Sequence, residues 1–142
     1  MEKKILILNG PNLNLLGRRD PALYGTRSME QIVLAVQREY PDLWLEYAQS
    51  NHEGDLIDRL QQADSDTYLG IILNAGGYTH TSVSIRDAVE LCQVPVVEVH
   101  LSDITKRESF RQKSLLTDVC RQTFMGKTCY EEAVRYIMSL AH

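Results

Sequence analysis

The sequence predicts an α/β fold, a doubly wound sandwich of five parallel strands with helices on both faces. Three observations predict it. Short runs rich in Ile, Val and Leu recur with almost no polar residue inside them, the pattern of strands buried on both faces. Segments with apolar residues at helical spacing lie between those runs. No repeat, linker or low-complexity stretch interrupts the alternation, so residues 1–142 read as one domain.

The first strand is the run 5–8, Ile-Leu-Ile-Leu. A helix begins after Ser28, where Ser28-Met29-Glu30-Gln31 has the form of a capping box. Ile32, Val33, Val36 and Tyr40 carry its stripe on until Pro41 stops it. A weaker run, 43–48, is the second strand. The next helix is predicted over 53–63, with Leu56, Ile57 and Leu60 inward, and the run 68–73 is the third strand. A helix follows Ser82, with Val83, Ile85, Ala88, Val89 and Cys92 as its apolar residues. The run 94–99 is the fourth strand and the weak run 123–125 the fifth. The last helix is predicted over 130–140, its stripe formed by Ala133, Val134, Ile137 and Met138. This alternation in so short a chain implies a flavodoxin-like arrangement with sheet order 2-1-3-4-5.

Composition narrows the function. Hydrophobic residues make up 44% and charged residues 24%, ordinary for a globular protein. The formal charge of −4 argues against a nucleic-acid binder, which would carry a basic patch, and no polybasic membrane anchor is present. The N-terminus offers only four consecutive apolar residues, too few for a signal peptide, and no run approaches a membrane span. Cys92, Cys120 and Cys129 are odd in number without C-x-x-C spacing. They read as buried free thiols in a reducing cytosol, so the expected location is cytoplasmic.

In open parallel sheets, ligands bind beyond the carboxyl ends of the strands, where strand order reverses. The unusual polar clusters lie at those ends. Asn9-Gly10-Pro11-Asn12 opens a long segment after strand 1, and Ser50-Asn51-His52-Glu53-Gly54 follows strand 2. Asn74-Ala75-Gly76-Gly77-Tyr78-Thr79-His80 follows strand 3, and Glu98-Val99-His100-Leu101-Ser102-Asp103 closes strand 4. The clusters therefore converge on one cleft. The segment after strand 1 lacks both the P-loop ending and the G-x-G-x-x-G pattern. Its length suits an active-site lid hinged at Gly17 and Gly25 and carrying Arg18, Arg19 and Tyr24, or else a plain solvated loop.

His100 and Glu98 are two apart on one strand, so they share a face and the carboxylate can orient the imidazole. A structural histidine is the alternative. His80 precedes a helix whose first N–H groups can hold an anion, although Thr81 and Ser82 serve equally as plain caps. Arg86 and Asp87 read equally as solvated helix charges. A flavin or phospho-receiver module would share the fold. The first strand, however, ends in Asn9 and Gly10 rather than paired acids, and the loop after it is not rich in Ser, Thr and Gly. A hydrolase using Ser82 or Ser102 lacks the G-x-S-x-G elbow, and an inactive scaffold keeping the fold is the remaining alternative.

At these clusters the chain resembles the type II 3-dehydroquinate dehydratases (type II dehydroquinases). The matching stretches are 10–17, 19–25, 50–54, 74–82, 86–87, 98–102 and 107–111. The resemblance implies a cofactor-free and metal-free lyase of the shikimate pathway of aromatic amino-acid biosynthesis. Such an enzyme dehydrates 3-dehydroquinate to 3-dehydroshikimate by anti elimination through an enolate. It implies Tyr24 as the base, His100 as the acid supported by Glu98, and Asn12 as holder of a water against the enolate oxygen. Phenolate at neutral pH needs help, since an unperturbed tyrosine has a pKa of about 10; Arg19 is the nearby cation that would supply it. By the same resemblance Asn74, His80 and Asp87 bind substrate hydroxyls, and the backbone of Leu101 and Ser102 joins Arg111 at the substrate carboxylate. The implied assembly is a homododecamer, a tetramer of trimers, with no nucleic-acid or membrane partner. Type I dehydroquinases form a Schiff base on lysine, and no Lys sits in the four clusters. Two departures stand out. Asp103 replaces the usual Asn, and the glycine-rich stretch near the last strand keeps only Gly126, with Cys120, Phe124 and Cys129 at the other positions. The second departure bears on the packing of that strand and on assembly, and neither touches a proposed catalytic position.

Overall fold

A computed structural model describes residues 3–140; residues 1, 2, 141 and 142 of the predicted 1–142 domain lie outside it. The strands are β1 (Lys4–Asn9), β2 (Trp44–Gln49), β3 (Tyr68–Asn74), β4 (Val96–His100) and β5 (Gln122–Met125). All neighbouring pairs are parallel, in the order β2-β1-β3-β4-β5. The order reverses between β1 and β3, as a flavodoxin-like sheet requires. The helices are α1 (Pro21–Tyr24), α2 (Met29–Glu39), α3 (Glu53–Ala63), α4 (Val83–Leu91) and α5 (Cys129–Ser139).

Side-chain alternation along β1 divides the core in two. Ile5 and Ile7 join Ile32 and Val36 of α2 and Val134 and Ile137 of α5 on one face. Leu6 and Leu8 join Leu56 and Leu60 of α3 and Ile85 and Val89 of α4 on the other. A strand apolar at every position has no face left for water, which explains the continuous runs. The Ser28 capping box forms, with Ser28 Oγ accepting from Gln31 N–H and Gln31 Oε1 accepting from Ser28 N–H.

Several elements differ from expectation. β4 begins at Val96 rather than at residue 94, because Pro95 precedes it without an N–H to give the ladder. Val83 is 60% exposed at the first position of α4, Cys92 lies past its end in extended backbone, and Met138 is 39% exposed. Val83 and Met138 therefore do not belong to a buried stripe, whereas Cys92 is half-buried and packs against the core on the side of α3 and α4. The segment after β1 is structured: a 3-10 helix spans Leu13–Arg18, with Leu13 and Leu16 buried, and α1 follows. Gly17 sits inside that 3-10 helix, while Gly25 ends α1 with φ 83°. Despite the missing glycines, β5 pairs with β4 in register, and Phe124 meets Tyr136 edge-on at 6.0 Å. Gly126 keeps the one conformation that needs glycine there, φ 116°. The edge strand β2 leaves Trp44 half exposed at its start, under the ammonium of Lys4 at 4.4 Å from the ring centroid.

The ends of β1 and β3 are pressed together. Gly10 N–H donates to the Asn74 carbonyl at 2.7 Å. A Cβ on Gly10 would stand 2.4 Å from the Ala75 carbonyl oxygen, a backbone atom that cannot swing aside. Gly10→Ala is therefore expected to destabilise the protein by about 1–3 kcal/mol, the usual cost of overpacking. Urea denaturation checks this, and an unchanged midpoint would mean that the two loops separate freely.

Candidate active site

A cavity of about 190 Å³ opens at the carboxyl ends of β1, β3 and β4. That is below the roughly 300 Å³ at which drug-sized sites begin, so it suits a small molecule. Asn12, Arg19 and Tyr24 line it from the segment after β1, and Asn74, Gly76, Gly77 and His80 from β3 and the 3-10 helix Gly76–His80. His100, Leu101, Ser102, Arg107 and Arg111 line it from the end of β4 onward.

Tyr24 ends the single turn α1, which Asp20 caps by accepting from Ala22 N–H at 2.9 Å. Its phenolic oxygen receives hydrogen bonds from two guanidinium groups, Arg19 Nη2 and Arg107 Nη1, the latter at 2.8 Å. Both cations also lie over the ring, at 4.3 and 5.5 Å from its centroid. Arg107 donates as well to Ser102 Oγ at 3.0 Å, so it ties the segment after β1 to the loop after β4. Both donors are permanent cations, so the phenolic oxygen is held as an acceptor.

His100 closes β4, nearly buried, with Nε2 2.6 Å from Glu98 Oε2. Glu98 lies behind it, fully buried and outside the cavity lining. Its Oε2 also accepts from Ser114 Oγ at 2.6 Å, and Oε1 accepts from Thr117 Oγ1 at 2.6 Å and Thr123 Oγ1 at 2.8 Å. Burial alone would raise the Glu98 pKa. The hydrogen bond and charge of His100 and the hydroxyls of Ser114 and Thr117 outweigh it and hold the carboxyl down at about 2. Glu98 is thus a fixed anion, His100 keeps Nε2–H on it, and Nδ1 is the ring nitrogen left for a ligand.

Asn74, at the end of β3, accepts from Gly76 N–H at 3.2 Å through Oδ1. His80 donates from Nδ1 to the Lys113 carbonyl at 2.8 Å, which leaves Nε2 for the cavity. Asn12 holds the left-handed conformation, φ 69°, and its backbone N–H donates to Asn51 Oδ1 at 3.0 Å. Arg111 pairs with Glu108 at 2.5 Å. Asp103 caps the short 3-10 helix Ile104–Lys106 by accepting from Thr105 N–H at 3.0 Å. The carboxylate caps through an oxygen, as an Asn side chain also can, and adds a negative charge.

Asp87 is the exception among the expected substrate-binding residues. It is exposed on α4 and does not line the cavity of its own chain. Conversely, Arg107, Ser114, Thr117 and Thr123 stand in or directly behind the site although the sequence alone does not mark them out. Only Arg107 carried a signal, as part of the matching stretch 107–111. Ser82, the nucleophile of the hydrolase alternative, is engaged by Ile85 N–H and Glu53, and Ser102 by Arg107. Among the described residues, no three His, Cys, Asp or Glu side chains are grouped to hold a metal ion, and no helix is long and apolar enough to cross a membrane. The three cysteines are unpaired, and burial pushes all three thiols up.

A flavodoxin-like sheet whose switch-point cavity brings a phenol, two imidazoles and three arginines together defines an α/β protein with a small polar ligand site. Comparison with known proteins supplies the family. The sequence profile of the family Dehydroquinase class II matches residues 3–138. The chain is 50% identical to the 3-dehydroquinate dehydratase of Exiguobacterium sp., covering 95% of this chain and 94% of that protein. It is 49% identical to that of Bordetella pertussis, over 96% and 97% of the two chains. The crystal structure of type II dehydroquinase from Butyrivibrio crossotus superposes with a TM-score of 0.90 at 38% identity, covering 97% of this chain and 99% of that one. The chain belongs to the class II dehydroquinase family and is an enzyme.

Proposed function

We propose that the protein, acting as one domain, dehydrates 3-dehydroquinate to 3-dehydroshikimate in the cytoplasmic shikimate pathway, using side chains alone. The observation that carries this reading is the joint lining of one cavity by Tyr24, with two guanidinium donors on its oxygen, and His100, backed by the Glu98 anion. Tyr24 as phenolate takes the proton from C2, beside the C3 ketone. The electron pair moves into the carbonyl, and Asn12 holds a water against the resulting enolate oxygen. His100, protonated on both nitrogens, gives the Nδ1 proton to the C1 hydroxyl. That hydroxyl leaves as water while the enolate collapses to form the C1–C2 double bond. Tyr24 ends protonated and His100 neutral, so one proton passes from the first to the second through solvent before the next turnover.

Arg111 and the backbone of Leu101 and Ser102 hold the substrate carboxylate, and Asn74 and His80 bind ring hydroxyls. Because Asp87 is exposed and does not line its own chain's cavity, its contact with a substrate hydroxyl would come in the site of an adjoining copy, as a tetramer of trimers allows. A spectrophotometric assay of 3-dehydroshikimate formation tests the reading, repeated with a chelator and with borohydride. Turnover surviving both treatments is expected. Absence of turnover, or its loss under borohydride, would overturn the reading.

A further inference from the structure

Beneath the cavity floor lies a buried polar chain that the proposed reaction leaves unused. Tyr130, in the first turn of α5, is fully buried, and its hydroxyl stands between two asparagines at the ends of neighbouring strands. Asn74 Nδ2 donates to Tyr130 Oη at 3.1 Å, and Tyr130 Oη donates to Asn9 Oδ1 at 2.7 Å. Asn9 Nδ2 donates onward to Tyr47 Oη at 3.4 Å. Asn9 and Asn74 are themselves buried.

One backbone group sets the direction of the whole chain. Gly76 N–H can only donate, so the Asn74 atom that it meets at 3.2 Å is the acceptor Oδ1. Nδ2 therefore occupies the other side of the amide and must donate to Tyr130. The Tyr130 oxygen accepts that bond, and its single hydrogen goes to Asn9 Oδ1. Burial pushes the Tyr130 phenol well above its usual range, so that hydrogen is always present. After these bonds Asn74 retains one N–H on Nδ2 for the cavity that it lines.

We infer that Tyr130 is a positioning residue: it holds the Asn74 amide in the single orientation that offers an N–H donor to a substrate oxygen. The inference rests on the dehydratase reading for the identity of the ligand, and on geometry alone for the orientation of the amide. Without the hydroxyl, Asn74 Nδ2 and Asn9 Oδ1 lose their shared partner. The Asn74 amide is then held by the Gly76 N–H alone and can swing its Nδ2 away from the substrate, so an interaction made equally in ground and transition states weakens.

The test is steady-state kinetics of Tyr130→Phe, which keeps the ring in the core. KM is expected to rise about tenfold with kcat within about threefold of wild type. Asn9→Ala, which leaves the aromatic core intact, should raise KM in the same way, and the double variant should be no worse than the more affected single one. A folded Tyr130→Phe with wild-type KM, a loss confined to kcat, or additive effects in the double variant would overturn the inference. If Tyr130→Phe does not fold, Asn9→Ala decides alone by the same KM criterion. Hydrogen exchange at the Asn74 side-chain amide, read by NMR in ¹⁵N-labelled protein, gives a substrate-free measurement. One protected Nδ2 proton in wild type that exchanges faster in either variant supports the inference, and unchanged protection overturns it. Wild-type protein without turnover would sink the dehydratase reading while leaving this measurement to decide about Tyr130.

Discussion

Tyr24→Phe is expected to lose turnover of 3-dehydroquinate by about 10²–10⁴-fold, the range contributed by a positioned general base. Affinity for the substrate should stay within about threefold of wild type, since the phenolic oxygen acts on the proton being transferred and not on the groups that hold the ring. The substitution removes one oxygen and leaves the ring, over which Arg19 and Arg107 both lie. The segment after β1 should therefore keep its position, so a fall in rate reports chemistry and not a displaced loop. Kinetics and calorimetric binding on the same preparation separate the two effects. Wild-type turnover in the variant would remove Tyr24 from the mechanism.

Glu98 carries the second large effect. Glu98→Ala strips His100, Ser114, Thr117 and Thr123 of a common acceptor, and losing one side of a buried charged pair costs about 3–5 kcal/mol. Glu98→Gln keeps the volume and removes the charge, which exposes the pH dependence. The folded pKa of about 2 lies below the ordinary value of 4.5. The stabilisation is therefore fully present above pH 4.5 and is lost as pH falls from there through 2. Across that window wild type should lose about 3 kcal/mol of its advantage over Glu98→Gln. Urea denaturation at stepped pH measures this difference. A wild-type advantage that stays constant from pH 6 to pH 2 would show that Glu98 is not held as an anion.

Much of the fold was legible because strands β1, β3 and β4 are buried on both faces, β1 and β3 carrying continuous apolar runs and β4 a run broken only by Glu98 before it ends at His100. β2 reads weakly because it is an edge strand with no fully buried position, and β5 because it is four residues long. The pairing of Glu98 with His100 was legible from strand periodicity alone. Tyr24 was reached only through resemblance, since nothing local distinguishes a tyrosine that meets an arginine 83 positions away. The three hydroxyls around Glu98 lie 16 to 25 positions from it and form no pattern until β5 and the loop before it are in place. Tyr130 was hidden for a different reason: it lies at the start of an apolar helix stripe, where an aromatic residue looks like packing. Asp87, placed on the site by resemblance, does not line the cavity of its own chain.

Trp44 is the sole indole of the chain and stands at the amino end of β2, roughly 20 Å along the strand direction from the ligand cavity. Its emission is therefore set by the Lys4 ammonium and by water. It will track loss of the folded sheet while remaining blind to occupancy, so a fluorescence titration with substrate should read flat even when every cavity is filled.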